Sequence, residues 1–374
     1  MMSSTSLPPS PEQCLVVGFG GICLDDLAVL PALPVPGDTT HCRSVEVQGI
    51  GEAANALTCL ARLGVRARLI SKIADDIPGK RILAELTAEG VDTSFLVVAK
   101  DGQTPSSFVM VDQSTRARSS IFTPAFLVME PADISQMNLK SALEGARFVY
   151  FDARHTDTAI VIAQEAAGQN MPILLHAEKK RPELVDLLQL SDYAVCSAEF
   201  PQAWTDAPSM PSALISMLLE FPKLKFATVT LGEHGCLMLE RSSDAENSLM
   251  GEEDADSLLH SLEQKKDDRV ATPMCIPSEV VKLKANGIGT LTGRLFVCTA
   301  ERIPPSELVD TTVAGDAFIG AILYALCMNM TPENMLPFAA TVAAAACKGS
   351  GARTGLPYRT DPCLAPYLDE PAIL

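Results

Sequence analysis

The sequence is short of positive charge. Its 374 residues carry 29 Lys and Arg against 46 Asp and Glu, a net charge of −17. A protein that tracks a phosphate backbone needs a basic surface or stripe, so nucleic-acid binding is not expected. A small anionic ligand is still compatible, because a nest of backbone N–H groups binds phosphate inside an acidic protein. Long apolar runs are lacking too. Residues 318–328 and 338–347 are the most apolar stretches, and Thr331-Pro332-Glu333-Asn334 lies between them. Each is shorter than the roughly 20 residues that cross a bilayer, so both read as buried helices and no membrane contact is expected. Residues 1–13 lack a basic n-region and an apolar h-region, and no secretory leader is expected. They are Ser-rich like a transit segment but contain no Arg. None of the 11 cysteines forms a CxxC pair, which suits free thiols in a reducing cytoplasm. The five histidines are isolated, which argues against structural zinc. Apolar residues make up 47% and charged ones 20%, enough to build a folded core.

Apolar runs alternate with helical patterns. Residues 14–20, 67–73, 148–151, 172–176, 193–196 and 226–231 read as strands. Residues 53–63, 81–89 and 158–167 read as helices between them. Such alternation predicts an α/β fold, a mostly parallel central sheet flanked by helices on both faces. Residues 107–123 alternate instead and read as a hairpin, Phe108 to Val111 and Ser119 to Thr123, of a small accessory sheet. Residues 242–270 are acidic and read as a solvated, partly disordered insertion. No linker divides the chain, so we expect a flexible tail over 1–12 and one domain over 13–368.

The stretch from Val309 to Gly320 carries the chemistry. Small residues precede a helical pattern that runs through Leu326. The first N–H groups of such a helix are unpaired, and its dipole favours negative charge there. Asp316 falls in the first turn, where a carboxylate can accept a proton from an attacking hydroxyl. A plain N-terminal cap explains the isolated segment as well.

The motif Asp310-Thr311-Thr312-Val313-Ala314-Gly315-Asp316-Ala317-Phe318 strongly resembles the C-terminal signature of the ribokinase-like (PfkB) carbohydrate kinases. Further resemblances stand in order. Gly49-Ile50-Gly51-Glu52-Ala53-Ala54-Asn55-Ala56 looks like the family's glycine-rich substrate motif, and Gly90-Val91-Asp92-Thr93 like a familiar connector. Thr230-Leu231-Gly232-Glu233-His234-Gly235 looks like the nucleotide loop, and Gly351-Ala352-Arg353-Thr354-Gly355-Leu356-Pro357 like the closing motif. Residues 150–184 and 103–107 are similar to the ketohexokinase branch.

The resemblance implies ATP-dependent phosphotransfer to an alcohol group of a small sugar, with ATP and Mg²⁺. Asp316 matches the catalytic base, and the N–H groups of Val313, Ala314, Gly315 and Asp316 match the anion hole. Asp25, Gly51 and Asn55 match the sugar contacts. Arg154 can contact a phosphate or the sugar, or be a plain surface arginine. Thr230, Gly232, Gly235, Glu199 and Ala340 fall on the nucleotide side, with Glu199 linked to Mg²⁺. Asp310, Thr312, Ala346, Gly349, Gly351 and Gly355 fall where many members hold a monovalent cation such as K⁺. The lid would comprise residues of about 33–50 and 103–124, and lids of this family commonly pair into homodimers.

Four positions depart from the pattern. Val313 and Ile50 stand where glycine is usual, Glu52 where ketohexokinases carry a sugar-binding Asn, and Cys196 replaces an Asn. A β-branched residue at 313 restricts φ and sets two methyls near the phosphate path. The alternatives are therefore a catalytically weakened sugar or nucleotide sensor and a nucleoside kinase. A dinucleotide-dependent oxidoreductase is a third, since Gly18-Phe19-Gly20-Gly21 partly matches a Rossmann fingerprint.

Overall fold

The computed structural model describes residues 10–35, 37, 39–112, 118–123, 127–242, 251–267 and 269–368. The chain opens with β1 (Leu15–Phe19), buried throughout. It leaves the body for β2 (Cys23–Leu30) and β3 (Ser44–Ile50), then returns as α1 (Glu52–Arg62), β4 (Arg66–Ala74), α2 (Ile77–Ala88) and β5 (Val91–Ala99). Next come β6 (Ser106–Asp112), β7 (Arg118–Thr123), α3 (Gln136–Leu143), β8 (Phe148–Phe151), α4 (Thr156–Gly168), β9 (Ile173–Ala177) and α5 (Leu184–Leu190). They lead to β10 (Tyr193–Cys196), α6 (Phe200–Thr205), α7 (Met210–Glu220), β11 (Phe226–Thr230) and β12 (Cys236–Arg241). The chain ends through β13 (Glu252–Asp254), α8 (Ala255–Glu263), β14 (Cys275–Pro277), β15 (Val281–Ala285), β16 (Gly289–Cys298), α9 (Ala314–Cys327), α10 (Pro332–Ala346) and α11 (Ala365–Leu368).

The central sheet is mostly parallel, as the alternation predicts. Strands β5, β4, β1, β8, β9, β10 and β11 lie side by side in that order, all parallel. Beyond β11 the sheet turns antiparallel through β12, β16 and β15. Side chains alternate between two cores, which is why these strands read as unbroken apolar runs. Val17, Phe19, Val149 and Phe151 face one core. Val16, Phe148 and Tyr150 face the other, which α1, α9 and α10 cover. No helix among the described residues is long and apolar enough to cross a membrane.

A second sheet has the order β3-β2-β6-β7. It contains the expected hairpin, whose turn at 113–117 lies outside the described residues. It also takes in β2, which the expected lid spans of 33–50 and 103–124 leave out. Because β2 follows Gly18-Phe19-Gly20-Gly21, no helix stands where a Rossmann fingerprint requires one.

Three expectations change. Residues 252–263, assigned to a solvated insertion, form β13 and α8, while 243–250 lie outside the described residues. Asp254 caps α8 by accepting from Ser257 N at 2.9 Å, and Ala255 and Leu262 are buried against the sheet. A capping carboxylate and two apolar anchors outweigh the acidic composition. Of the expected connector, Gly90 is a turn residue with φ 80°, while Val91-Asp92-Thr93 open β5. Residues 1–9 of the expected tail lie outside the description, whereas Pro11–Gln13 forms a 3₁₀ turn with Pro11 buried.

Helices α1 and α9 approach closely because Gly320 has no side chain. A Cβ there would stand 2.7 Å from the Ala56 carbonyl and 2.8 Å from Cys59 Cβ. This contact between backbones sets the distance between the N-terminal turns of the two helices.

Candidate active site

The C-terminal ends of β1, β8, β9, β10 and β11 open toward the N-termini of α1 and α9. Ligands of open α/β sheets bind in such a crevice. Asp316 sits in the first turn of α9 and is only 8% exposed. Asn55 on α1 donates from Nδ2 to Asp316 Oδ2 at 2.8 Å. Burial pushes the Asp316 carboxyl up to about 8, against the partial pull of Asn55 and His176. A carboxyl tuned close to neutral pH suits proton abstraction.

The start of α9 faces space on one side. A Cβ built on Gly315 meets nothing within 4 Å. Of the four N–H groups expected to form the anion hole, that of Ala314 donates to the Thr311 carbonyl at 3.3 Å. Val313 has φ −98°, which a β-branched residue adopts without strain. Its side chain is 1% exposed and belongs to the core beneath α9. The expected intrusion of its methyls into a phosphate path gives way to packing. Val313→Gly should therefore lower stability by about 2–3 kcal/mol and leave kcat no higher. Thermal melts and steady-state rates of the variant check this.

The expected sugar contacts stand on two elements. Gly51 is the N-cap of α1, Asn55 lies one turn on, and Asp25 is on β2. Ser107 Oγ bonds Asp25 Oδ1 across the small sheet. Arg154 is half-exposed but engaged, with Nη2 3.1 Å from Glu52 Oε1 and 3.8 Å from Glu178 Oε2. Both contacts are to carboxylates, so it is not a lone surface arginine.

Asp152 and His176 were not singled out as site residues from the sequence, and Glu52 only as a departure from the family pattern. Asp152, at the end of β8, accepts from Gly21 N at 3.0 Å, Ala53 N at 3.3 Å and Arg154 N at 3.0 Å. It thereby ties the exits of β1 and β8 to the start of α1. Burial and then Glu52 push its carboxyl up to about 7. Glu52 Oε2 lies 3.2 Å from Nδ1 of His176, near the end of β9. Burial opposes the charge of both, yet the pairing prevails. His176 and Arg154 hold Glu52 below the ordinary carboxylate range, and Glu52 raises His176 above the usual imidazole value. The available signal was a polar residue ending an apolar run, where strand ends meet ligands.

The nucleotide-side residues sit on neighbouring strand ends. Thr230 closes β11, and its hydroxyl donates to the Cys196 carbonyl at 3.4 Å. Gly232 and Gly235 bracket a tight turn, with Leu231 N bonded to Gly235 O at 2.8 Å. At Gly235 a Cβ would lie 1.9 Å from the Cys298 carbonyl, so only glycine fits. Glu199 is exposed after β10, and Ala340 is half-buried on α10.

The residues expected around a monovalent cation also come together. Asp310 accepts from Thr312 N at 2.8 Å, Thr312 Oγ1 at 2.6 Å and Gly351 N at 3.0 Å. Gly349 N donates to the Ala346 carbonyl at 3.3 Å. Gly355 packs on both, since a Cβ there would lie 2.2 Å from Ala346 O and 2.8 Å from Gly349 N.

A family model described as pfkB family carbohydrate kinase matches residues 17–251 and 271–359. Residues 252–270, with β13 and α8, lie between the matched spans. Mouse ribokinase is 24% identical over 96% of this chain and 97% of its own. Mouse ketohexokinase is 22% identical over 90% and 96%. The structure of Arabidopsis thaliana ribokinase complexed with ribose and ATP superposes with a TM-score of 0.69 at 20% identity, covering 98% of this chain and all of that one. Both the ribokinase and ketohexokinase branches thus stand among its relatives. The chain belongs to the pfkB family of carbohydrate kinases, phosphotransferases with an alcohol group as acceptor.

Proposed function

We propose that this protein transfers the γ-phosphoryl group of ATP to a hydroxymethyl group of a small sugar of ketohexose or pentose type. One observation carries the reading: Asp316 is buried at the N-terminus of α9, bonded to Asn55, beside open space at Gly315. Asp316 takes the proton of the attacking hydroxyl. The N–H groups at the start of α9 meet the charge of the transferring phosphoryl, a reaction helped mainly by position and charge. Asp25 and Asn55 orient the sugar through hydroxyl contacts.

The turn from Thr230 to Gly235 leaves backbone groups beside the strand ends for ATP. Glu199, an exposed carboxylate at the N-cap of α6 just after β10, fits Mg²⁺ held through water. Magnesium bound there neutralises phosphate charge. Asp310 and Thr312 before α9, with Ala346, Gly349, Gly351 and Gly355 at and after the end of α10, offer backbone carbonyls that suit a hard monovalent cation. On the small sheet Phe108 and Ile121 stand opposite each other, 41% and 61% exposed, which supports a homodimer through the lid.

A panel of ketohexoses, pentoses and nucleosides with ATP and Mg²⁺, read as ADP release, tests the reading. We expect turnover with a free sugar and a higher rate in K⁺ than in Na⁺ buffers. Light scattering on the same sample should give twice the chain mass. Binding of sugar and ATP without ADP release would favour a sensor instead.

A further inference from the structure

The crevice floor contains an ion triad that the phosphotransfer step does not use. Glu52 bridges Arg154 at 3.1 Å and His176 at 3.2 Å. The side chains of Glu52 and His176 are 23% and 13% exposed. Glu52 and Asn55 are three residues apart on α1 and so share a helix face, about 5–6 Å apart at Cβ. Asn55 in turn holds Asp316. Glu52 Oε2 and His176 Nδ1 face each other as a charge contact without a hydrogen bond, and Asn55 Oδ1 and the Tyr150 hydroxyl are also buried with no hydrogen-bond partner. Buried polar atoms left unpaired in the protein are what a hydroxyl-rich ligand would satisfy.

We propose that Glu52 determines the specificity of this pocket, with His176 as its positioning residue, and that the pair demands an uncharged sugar offering a hydroxyl donor to Glu52. The inference rests on the sugar-kinase reading. An ionised carboxylate only accepts hydrogen bonds. Each oxygen of Glu52 faces one cation and keeps lone pairs for the substrate. A carbonyl, an ether oxygen or a missing hydroxyl there would leave Glu52 unmatched in a poorly hydrated site. A sugar acid would meet like charge.

The experiment uses the full chain, ATP, Mg²⁺, the best sugar of the panel and its monodeoxy analogues. The wild type should discriminate against one deoxy analogue by at least about 10²-fold in kcat/KM, because sites built around a hydroxyl reject its absence strongly. Glu52→Gln should reduce that ratio to below about 10-fold. His176→Gln should raise the sugar KM about 10-fold while kcat and the ATP KM change less than about 2-fold, a split that general loosening does not produce. The neutral double variant Glu52→Gln/His176→Gln removes both charges together and provides a folded comparison if a single variant melts early. Unchanged sugar KM and unchanged discrimination in folded variants would overturn the proposal alone, provided Asp316→Asn is inactive. Absence of sugar-dependent ADP release in the wild type would overturn the kinase reading and this proposal with it.

Discussion

Asp316→Asn should lower kcat about 10²–10⁴-fold while ATP still binds. The substitution keeps the shape of the side chain and its bond to Asn55 but removes the proton acceptor. The same change should stabilise the empty protein above acidic pH. Burial raises the Asp316 carboxyl to about 8 in the folded state, against roughly 3.9 in an unfolded chain. The folded protein therefore holds this proton more tightly. That contribution to stability is complete below about pH 4 and is lost as pH rises through about 8. Melts from pH 4 to 8 should show the variant gaining on the wild type as pH rises. In the wild type kcat/KM, which reports the free enzyme, should fall about tenfold per unit below pH 8, because only the ionised carboxyl accepts the proton. A flat pH profile together with near-normal turnover in the variant would remove Asp316 from the reaction.

Gly320→Val should be the most damaging change outside the crevice. The Cβ would meet the Ala56 carbonyl at 2.7 Å, and that backbone cannot swing aside as a flexible side chain can. Helices α1 and α9 must separate, and they carry Asn55 and Asp316. Overpacking of this kind destabilises by about 1–3 kcal/mol. A displacement of about 1 Å at the reacting groups costs on the order of 10²-fold in rate. We expect a lower melting temperature and a kcat drop of that size, with the ATP KM less affected. Wild-type kinetics in Gly320→Val would mean that the helix spacing does not set the geometry of the base.

The parallel half of the sheet was legible because strands buried on both faces leave continuous apolar runs. Residues 148–151 and 193–196 match β8 and β10 to the residue. The antiparallel edge was harder. In β15 only Val281, Leu283 and Ala285 are buried, between exposed lysines, and this two-residue rhythm has no turn motif to announce it. Asp316, Asn55 and Gly51 were found through motif resemblance, and the structure gathers them. His176 and Asp152 were passed over because each ends an apolar run and reads as the polar edge of a strand. Their importance comes from partners 124 and 99 positions away in the chain, Glu52 for one and Ala53 for the other. Val313 shows the converse. Its identity suggested obstruction, but only its packing reveals that the side chain belongs to the core.

The distribution of sulfur has a practical corollary. Cys14, Cys59, Cys196, Cys236, Cys298, Cys327 and Cys347 are buried, and only Cys42 and Cys363 are fully at the surface. While folded, the molecule shields most of its thiols from air and alkylating reagents. Once it opens, all 11 can exchange and crosslink at random. Heat damage should then be permanent without reductant, so the useful lifetime of a preparation depends on how slowly the chain opens.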